Sequence, residues 1–327
     1  MRSLLRIRLR AAWLLFSGVL LVAALVITSF KGSAGSRPAS AQPIVVLLSL
    51  DGVSESYMGQ TETPALSRIA ERGARADRLT PPFPSNTFPS HATLATGVYP
   101  DRHGIVNNQF NDPERGEFRK SPEASWYESE PLWAAAERAG VRTAVQHWVC
   151  SAGKWQGIAP TYFERFRAGA SDVERLSKIV AWLGLPEARR PRLIMSWLAG
   201  CDHAGHKHGP DDPAVLVELR FVDGLLGRLL AEIERLGLGG RVTLFVVSDH
   251  GMLRMEREID LGDLISRPSK PKDIVSSGAV ANLYFDSAEK IEGAEKELSK
   301  WSHFTLYRRE TLPEELHYRH PHRTGDL

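Results

Sequence analysis

Short apolar runs that alternate with helical patterns constrain this fold more than any other feature of the sequence. The runs Ile44–Leu50, Arg192–Leu198 and Val242–Val247 are mainly apolar along their length, which is typical of strands buried on both faces of a parallel sheet. Between the last two runs, Asp212-Pro213 opens a long amphipathic helix. This order predicts an α/β fold, with a mostly parallel sheet and helices on both of its faces.

The first 42 residues differ in composition from the rest of the chain, and we exclude them from the predicted fold. Residues 1–41 contain six basic and no acidic residues, and Ala11–Phe30 is a stretch of twenty uncharged residues. This pattern fits an export signal, with Ala39-Ser40-Ala41 as a cleavage candidate, and equally a membrane anchor formed by residues 11–30. Both alternatives predict an exported protein, periplasmic or extracellular, that meets a membrane only through this segment.

The remaining chain divides into three predicted segments. Residues 43–253 carry the strands and helices of the core, and the stretch that follows them is more polar. Within residues 254–316, Ala279–Phe285, Ala288–Trp301 and His303–Tyr307 have the pattern of a β-α-β unit, which we interpret as a small lid subdomain. Residues 317–327 are expected to return to the core.

Charge and cysteine content exclude several classes of protein. Beyond residue 41 the chain holds 35 basic and 39 acidic residues, a net charge of about −4 that gives no electrostatic basis for nucleic-acid binding. The two cysteines, Cys150 and Cys201, are too few for a disulfide framework or a cysteine-based zinc module. Both follow predicted strands, so one disulfide in an oxidising compartment is an alternative to two free thiols.

Acidic and histidine side chains follow the three predicted strands. Asp51 follows the first strand, Asp202 and His206 follow the second, and Asp249 and His250 follow the third. The carboxyl ends of parallel strands share one edge of the sheet, where open α/β proteins bind ligands. Each residue alone is more typical of a turn or a surface pair than of a metal ligand. Together, carboxylates and imidazoles at one edge predict a site for zinc or a similar divalent ion.

Thr87 is a candidate nucleophile because of where its helix begins. It falls at the N-cap position of a predicted helix, with Pro89 just inside the helix and Gly97 at its far end. A threonine that only caps the helix is the simpler interpretation. The alternative is a hydroxyl held at a helix N-terminus, where the helix dipole and free N–H groups favour an alkoxide and a phosphate. A nearby metal ion would lower the pKa of this hydroxyl and activate it.

Five sequence blocks stand out around these residues: Asp51-Gly52, Thr87-Phe88-Pro89-x-His91, Thr96-Gly97-x-Tyr99-Pro100-x-x-His103-Gly104-Ile105, Asp202-x-x-Gly205-His206 and Ser248-Asp249-His250-Gly251-Met252. Together they resemble blocks of the nucleotide pyrophosphatase/phosphodiesterase family, which belongs to the alkaline phosphatase superfamily. They occur in the family's order, within residues 44–324. The resemblance implies an alkaline phosphatase-like fold and a hydrolase of phosphoric diesters and nucleotide pyrophosphates.

The resemblance also implies a two-zinc site with a threonine nucleophile that is transiently phosphorylated. One Zn²⁺ would be held by Asp51, Thr87, Asp249 and His250, and the other by Asp202, His206 and a further histidine. Asn108 matches the asparagine that donates to a phosphate oxygen. The implied substrate is a nucleotide or another small phosphodiester, with aromatic walls for it at Phe88, Phe166 and Trp197.

In the family the further histidine lies downstream of the stretch that resembles residues 317–327. We therefore expect the second zinc site to lack one ligand in this chain, as in a truncated member. His317, His320 and His322 fall in a part of the pattern that does not bind metal. Two alternatives stay open: a phosphomonoesterase or phosphonate hydrolase that uses the same metals, and a non-catalytic phosphate-binding protein.

Overall fold

A computed structural model describes residues 42–327 of the chain. The predicted export signal or membrane anchor, including residues 11–30 and Ala39-Ser40-Ala41, lies outside the described residues. Among residues 42–327, no helix combines the length and the apolar composition needed to cross a membrane.

The strands and helices follow the chain order expected of an α/β protein. The strands are β1 (Ile44–Leu50), β2 (Gln109–Asp112), β3 (Gly116–Arg119), β4 (Thr143–Gln146), β5 (Tyr162–Glu164), β6 (Leu193–Leu198), β7 (Val242–Val247), β8 (Asp273–Ser277) and β9 (Val280–Tyr284). The α-helices are α1 (Pro64–Arg72), α2 (Thr87–Thr96), α3 (Pro100–His103), α4 (Leu132–Arg138), α5 (Asp172–Leu183), α6 (Gly200–His208), α7 (Pro213–Arg235) and α8 (Ala288–Leu298).

The main sheet is parallel, with the strand order β5-β4-β6-β1-β7. Strand β1 lies between β6 and β7, so that Ser49 pairs with Trp197 on one side and with Val247 on the other. Apolar side chains of β1 pack on both faces of the sheet. Ile44, Val46 and Leu48 belong to one core cluster, and the alternate residues of the strand pack against a second. The predicted α/β class is confirmed.

The long helix α7 begins and packs as its sequence predicts. The Asp212 carboxylate accepts the Ala214 main-chain N–H at 2.8 Å, and Pro213 occupies the first helical turn. One face of the helix is buried against the sheet, and it includes Val215, Leu219, Val222, Leu226, Leu229 and Ile233. Burial of each such side chain contributes roughly 1.5–3 kcal/mol, which fixes the helix over β1 and β6.

The β-α-β unit expected within residues 254–316 is wrong. β8 and β9 form an antiparallel hairpin whose two-residue turn begins at Gly278, with φ +60°, and α8 follows it. The segment His303–Tyr307 forms no strand in this described part of the chain. The reason is that the chain end already occupies the edge of β9: the Leu283 N–H donates to the Leu327 carbonyl at 3.0 Å, and the Asp326 N–H donates to the Leu283 carbonyl at 2.8 Å.

Residues 317–327 pack against the core through a buried arginine. Nε of Arg323 donates to Asp112 at 2.7 Å, and Nη1 donates to the Gly104 carbonyl at 2.7 Å. His320 lies beside it and forms a 3.0 Å hydrogen bond with Glu128. The last residues thus join the hairpin edge to the loops around β2.

The alternative of a Cys150–Cys201 disulfide is wrong, since both cysteines are free and buried. Cys201 packs in the cluster that contains Ile44, whereas Cys150 packs in the cluster on the opposite face of the sheet. Burial raises the pKa of the Cys201 thiol to about 12 and raises that of Cys150 further. Neither thiol is a reactive thiolate at neutral pH.

Candidate active site

Three acidic or imidazole side chains from separate loops meet at the carboxyl edge of the sheet. Asp51, Asp202 and His250 each offer one ligand atom, and these atoms lie within 4.8 Å of one another. The approach of β1 to α6 depends on Gly52, which has φ +70° and whose Cβ would stand 2.9 Å from the Asp202 Cα. Only glycine fits this position, because any side chain there would separate two of the three groups.

Asp249 lies beneath this cluster and is held by main-chain N–H groups. Its Oδ1 accepts from Gly52 at 3.2 Å and from His250 at 2.9 Å. Its Oδ2 lies 3.2 Å from Nδ1 of His91 and 3.3 Å from Nε2 of His250. His91 is fully buried, and its Nδ1 also lies 2.9 Å from the carbonyl oxygen of Thr87. His91 therefore joins the candidate nucleophile's backbone to Asp249, a link that sequence reasoning alone did not single out.

Thr87 occupies the first turn of α2, where its hydroxyl faces His250. Oγ1 of Thr87 lies 3.1 Å from Nε2 of His250, which is 3.4 Å from Oδ1 of Asp51. The prediction that Thr87 is the N-cap is wrong by one residue, because Asn86 holds that position in extended conformation. The amide of Asn86 donates to Asn107 at 2.7 Å and makes no capping bond. The Thr87 hydroxyl is likewise not used as a cap.

Asn108 is oriented by the residue that follows Thr87. Its side-chain Oδ1 accepts the main-chain N–H of Phe88 at 2.9 Å, and its own N–H donates to Oδ1 of Asn107 at 2.8 Å. Because Oδ1 is the acceptor, the NH₂ group remains as the donor toward a ligand. The carbonyl of Asn108 accepts from the main-chain N–H of Lys120 at 2.9 Å.

The charges at this edge fit a divalent cation. Oδ1 of Asp51 and Oδ1 of Asp202 are buried without a hydrogen-bond partner, and Oδ2 of Asp249 faces the imidazole nitrogens of His91 and His250; buried carboxylate oxygens without partners are costly unless a cation binds them. Burial, then the charges of Asp249 and Asp202, raise the pKa of Asp51 well above its ordinary value. Burial likewise raises the pKa of Asp202. For Asp249 burial acts in the same direction, but the nearby His91 and further donors outweigh it and lower the pKa.

Lys120 is a second residue that sequence reasoning missed. It has a left-handed backbone with φ +46°, and its positive charge opposes the burial effect on the pKa of Asp202. The available sequence signal was a basic residue directly after the β2–β3 hairpin, which itself follows Asn108.

The remaining predicted residues surround the cluster in different ways. His206 lies one helical turn beyond Asp202, with Nε2 3.4 Å from Oδ1 of Asp202, and its side chain is 75% exposed. Phe88 packs edge-on against Phe118, whereas Phe166 is about half exposed. Trp197 turns its indole N–H to Asp51 at 2.7 Å. These side chains thus lie near the carboxyl edge of the sheet, but they differ in how far solvent reaches them.

The three histidines near the chain end do not join the cluster among residues 42–327. Nδ1 of His320 accepts main-chain N–H groups of His322 and Arg323, and its Nε2 bonds Glu128. His317 stacks on Tyr99, with ring centroids 4.1 Å apart. These contacts explain the histidines as packing and hydrogen-bonding residues.

Comparison with known proteins assigns the family. The family model described as type I phosphodiesterase / nucleotide pyrophosphatase matches residues 45–327, which is nearly all of the described chain. The chain belongs to this family. The match confirms the resemblance carried by the blocks around Thr87 and Asp249.

Other members of the type I phosphodiesterase family show the same relationship in sequence and structure. An uncharacterized pyrophosphatase/phosphodiesterase of Schizosaccharomyces pombe is 35% identical over 250 residues, 72% of this chain and 52% of that protein. Human ectonucleotide pyrophosphatase/phosphodiesterase family member 1 is 29% identical over 84% of this chain and 32% of its own length. The structure of murine ectonucleotide pyrophosphatase/phosphodiesterase 5 has a TM-score of 0.79 at 28% identity, covering 87% of this chain and 77% of that one.

A second structure of the same murine protein is that of an inactive threonine-to-alanine variant in complex with AMP, and its TM-score is 0.80. The chain spans about half the length of the yeast relative and about a third of the human one.

Proposed function

We propose that this protein is a metal-dependent phosphodiesterase or nucleotide pyrophosphatase whose nucleophile is Thr87. The observation that carries the proposal is the 3.1 Å approach of the Thr87 hydroxyl to His250, beside buried carboxylate oxygens without partners. An unactivated threonine hydroxyl is a weak nucleophile, and a cationic site next to it is the usual remedy. The inactive threonine variant of the murine relative supports this assignment.

The residues present fit a resident cation, for which zinc is our proposal. Asp51, Asp249 and His250, with the Thr87 oxygen, would hold one ion, and they supply the oxygen and nitrogen donors that zinc takes in proteins. Asp202 and His206 would hold a second ion. When bound, two such ions supply positive charge that stabilises the attacking and leaving oxygens.

The chain's own groups would carry the phosphoryl transfer. Oγ1 of Thr87 forms a bond to phosphorus as the bond to the leaving oxygen breaks, which gives a phospho-threonine; water then displaces the threonine oxygen. The NH₂ group of Asn108 would donate to a nonbridging phosphate oxygen, where charge develops during the attack. The positive end of the α2 dipole lies at the same place.

The substrate we propose is a nucleotide or another small phosphodiester. Phe88 and Phe166 offer an inner and an outer aromatic face near the cluster, and the murine relative binds AMP. The hairpin β8–β9 reaches the start of α2, since the Asn86 amide donates to the Ser277 carbonyl at 3.2 Å. This contact supports residues 254–316 as a lid over the site, beside a core formed by residues 43–253.

We also propose that the protein works outside the cytoplasm. The support is the basic, then uncharged composition of residues 1–30. Detection of the tagged protein in periplasmic or surface fractions tests this proposal, and a cytosolic protein would contradict it.

The deciding experiment is a comparison of two nitrophenyl substrates with zinc-loaded protein. We expect the nitrophenyl ester of thymidine 5′-phosphate, a diester, to be cleaved faster than nitrophenyl phosphate, and Thr87→Ala to cleave neither. A monoester rate that equals the diester rate would favour the phosphomonoesterase alternative. Binding of zinc without either activity would favour a phosphate-binding protein.

A further inference from the structure

Trp197 makes a contact that a wall of a substrate slot does not need. Its indole Nε1–H donates to Oδ2 of Asp51 at 2.7 Å, between neighbouring strands β6 and β1. The other oxygen of Asp51, Oδ1, has no hydrogen-bond partner and lies 3.4 Å from Nε2 of His250. The indole therefore fixes which carboxylate oxygen faces the cluster.

The Trp197 ring is itself held by a buried cation. The guanidinium of Arg175 stands 4.7 Å from the centre of the indole, and Arg175 is only 3% exposed. The main chain of the same arginine is tied to the sheet, since Nε2 of Gln146 donates to the Arg175 carbonyl at 2.6 Å. Cation–π contacts of desolvated groups are among the stronger ones, so the ring has one preferred orientation.

Asp172, the ion-pair partner of Arg175, also holds the start of α6, the helix that carries Asp202. Nη1 of Arg175 donates to Oδ1 of Asp172 at 3.0 Å, and the same carboxylate accepts the main-chain N–H groups of Ala199 and Gly200 at 3.2 and 3.0 Å. These are the N-cap and first residue of α6, which makes no side-chain cap of its own. The helix that carries Asp202 is thus capped from α5.

We propose that Trp197 is a positioning residue for Asp51, held by the buried Asp172–Arg175 pair, which at the same time sets the start of α6. The pair fixes both sides of the cluster, Asp51 through the indole and Asp202 through the helix cap. Trp197 then acts through its N–H and not as a stacking face for substrate. The inference rests on the proposed function only in that the cluster binds a metal.

A phenylalanine at position 197 separates these two roles. Trp197→Phe keeps an aromatic face and removes the N–H donor. Its matched control is Trp155→Phe, because Trp155 is buried and also donates its indole N–H, at 3.2 Å, to an oxygen, the carbonyl of Tyr127. Groups that orient a metal ligand typically change metal affinity by about 10–100-fold when removed.

Zinc competition against a chromogenic chelator measures the effect. We expect Trp197→Phe to bind zinc at least tenfold more weakly, and Trp155→Phe to match the parent protein. Arg175→Met should weaken zinc in the same direction, whereas Arg235→Met, which breaks the exposed pair with Glu232, should not. Parent-like zinc affinity in Trp197→Phe would overturn the proposal, and so would a nucleotide KM that rises while zinc affinity is unchanged.

The indole N–H resonance of the metal-free protein gives a test that needs neither zinc nor activity. In a ¹H–¹⁵N spectrum the Trp197 signal is identified by its loss in Trp197→Phe, and it should shift strongly upfield in Asp51→Ala. A signal that Asp51→Ala leaves in place would overturn the proposal.

If the indole signal responds and the protein hydrolyses no phosphodiester, the proposed function fails while the positioning contact stands. If the parent hydrolyses diesters and Trp197→Phe equals it in zinc affinity and rate, only the positioning role fails.

Discussion

The side-chain oxygen of Asn108 accepts the main-chain N–H of Phe88 at 2.9 Å, so the loop before β2 is tied to the residue that follows Thr87. Asn108→Asp keeps this acceptor and replaces the NH₂ donor by a negatively charged oxygen. Loss of one donor to a developing oxyanion costs about 10²–10³-fold in kcat, and we expect at least that loss with an unchanged melting temperature. Asn111→Ala, which removes an exposed bond to Asp273, serves as the control. Activity within threefold of the parent protein would exclude Asn108 from phosphate binding.

Ser90, three residues after Thr87, also carries a hydroxyl, but this hydroxyl makes no hydrogen bond with His250. Ser90 is buried, and its hydroxyl has no hydrogen-bond partner, so it does not replace Thr87 at His250. We expect Thr87→Ala to abolish diester hydrolysis and to retain zinc, Thr87→Ser to keep partial activity, and Ser90→Ala to stay active. Retention of more than a few per cent of activity by Thr87→Ala would identify water as the nucleophile.

The Asp51 carboxylate should destabilise the metal-free protein. The pKa of Asp51 is raised in the folded state by burial and by Asp249 and Asp202. The stability that the protonated Asp51 carboxyl contributes is therefore complete below its ordinary pKa and is lost as pH rises through the folded pKa. Asp51→Asn does not ionise and keeps an acceptor for Trp197. In EDTA at neutral pH we expect this variant to be more stable by about 1–3 kcal/mol, and with zinc we expect only the parent to gain melting temperature. The exposed change Asp211→Asn should do neither, and a less stable Asp51→Asn protein would contradict the argument.

The two candidate walls of the substrate slot should respond differently to truncation. Phe166 is 48% exposed, whereas Phe88 packs against Phe118 with ring centroids 5.6 Å apart. If both stack on a base, each alanine variant loses about 1–3 kcal/mol of nucleotide binding, but only Phe88→Ala should also lower the melting temperature. KM values for a nucleotide diester and for methyl nitrophenyl phosphate measure the difference, with the half-exposed Phe245 as control. Equal losses on both substrates would mean that the phenylalanines only pack.

The sequence predicted those parts of the site that depend on strand order. Continuous apolar runs identified β1, β6 and β7, and the parallel order of these strands placed Asp51, Asp202 and Asp249 at one edge. Contacts that depend on side-chain direction were not accessible in this way. Nothing in the spacing shows that the Trp197 N–H points to Asp51, since a strand residue near an active site is equally well placed to face a ligand.

The errors in the predicted fold concern long-range contacts, which a local sequence pattern does not reveal. His303–Tyr307 alternates like a strand, yet the edge of β9 is bonded by Asp326 and Leu327, and a local pattern does not reveal which of two segments wins an edge. Cys150 and Cys201 lie on opposite faces of the sheet, which depends on strand order rather than on the residues near each cysteine. The signal that was available and missed is Gly278-Ala279, a turn pair with glycine first that is typical of a two-residue hairpin.

Arg323 should be the residue on which attachment of the chain end depends most. Its Nε donates to the buried Asp112 at 2.7 Å, and its guanidinium also contacts Glu128 at 2.8 Å. Removing one partner of a buried pair costs about 3–5 kcal/mol, so Arg323→Met should lose that much in urea unfolding at pH 7, against less than about 1 kcal/mol for the exposed control Arg235→Met.

The pH dependence of unfolding tests whether Arg323 stabilises the protein through its charge, because its partners Asp112 and Glu128 titrate at acidic pH. Burial alone would raise the pKa of Asp112, but the bond from Arg323 and main-chain N–H groups outweigh burial and lower it below its ordinary value of 3.8. His320, more than Arg323, lowers the pKa of Glu128 below 4.5. A carboxyl with a lowered folded pKa stabilises the protein above its ordinary pKa, and that stability is lost as pH falls through the folded value. The parent protein should therefore lose stability below about pH 4.5 more steeply than Arg323→Met, and parallel pH curves for the two proteins would show that Arg323 only fills space.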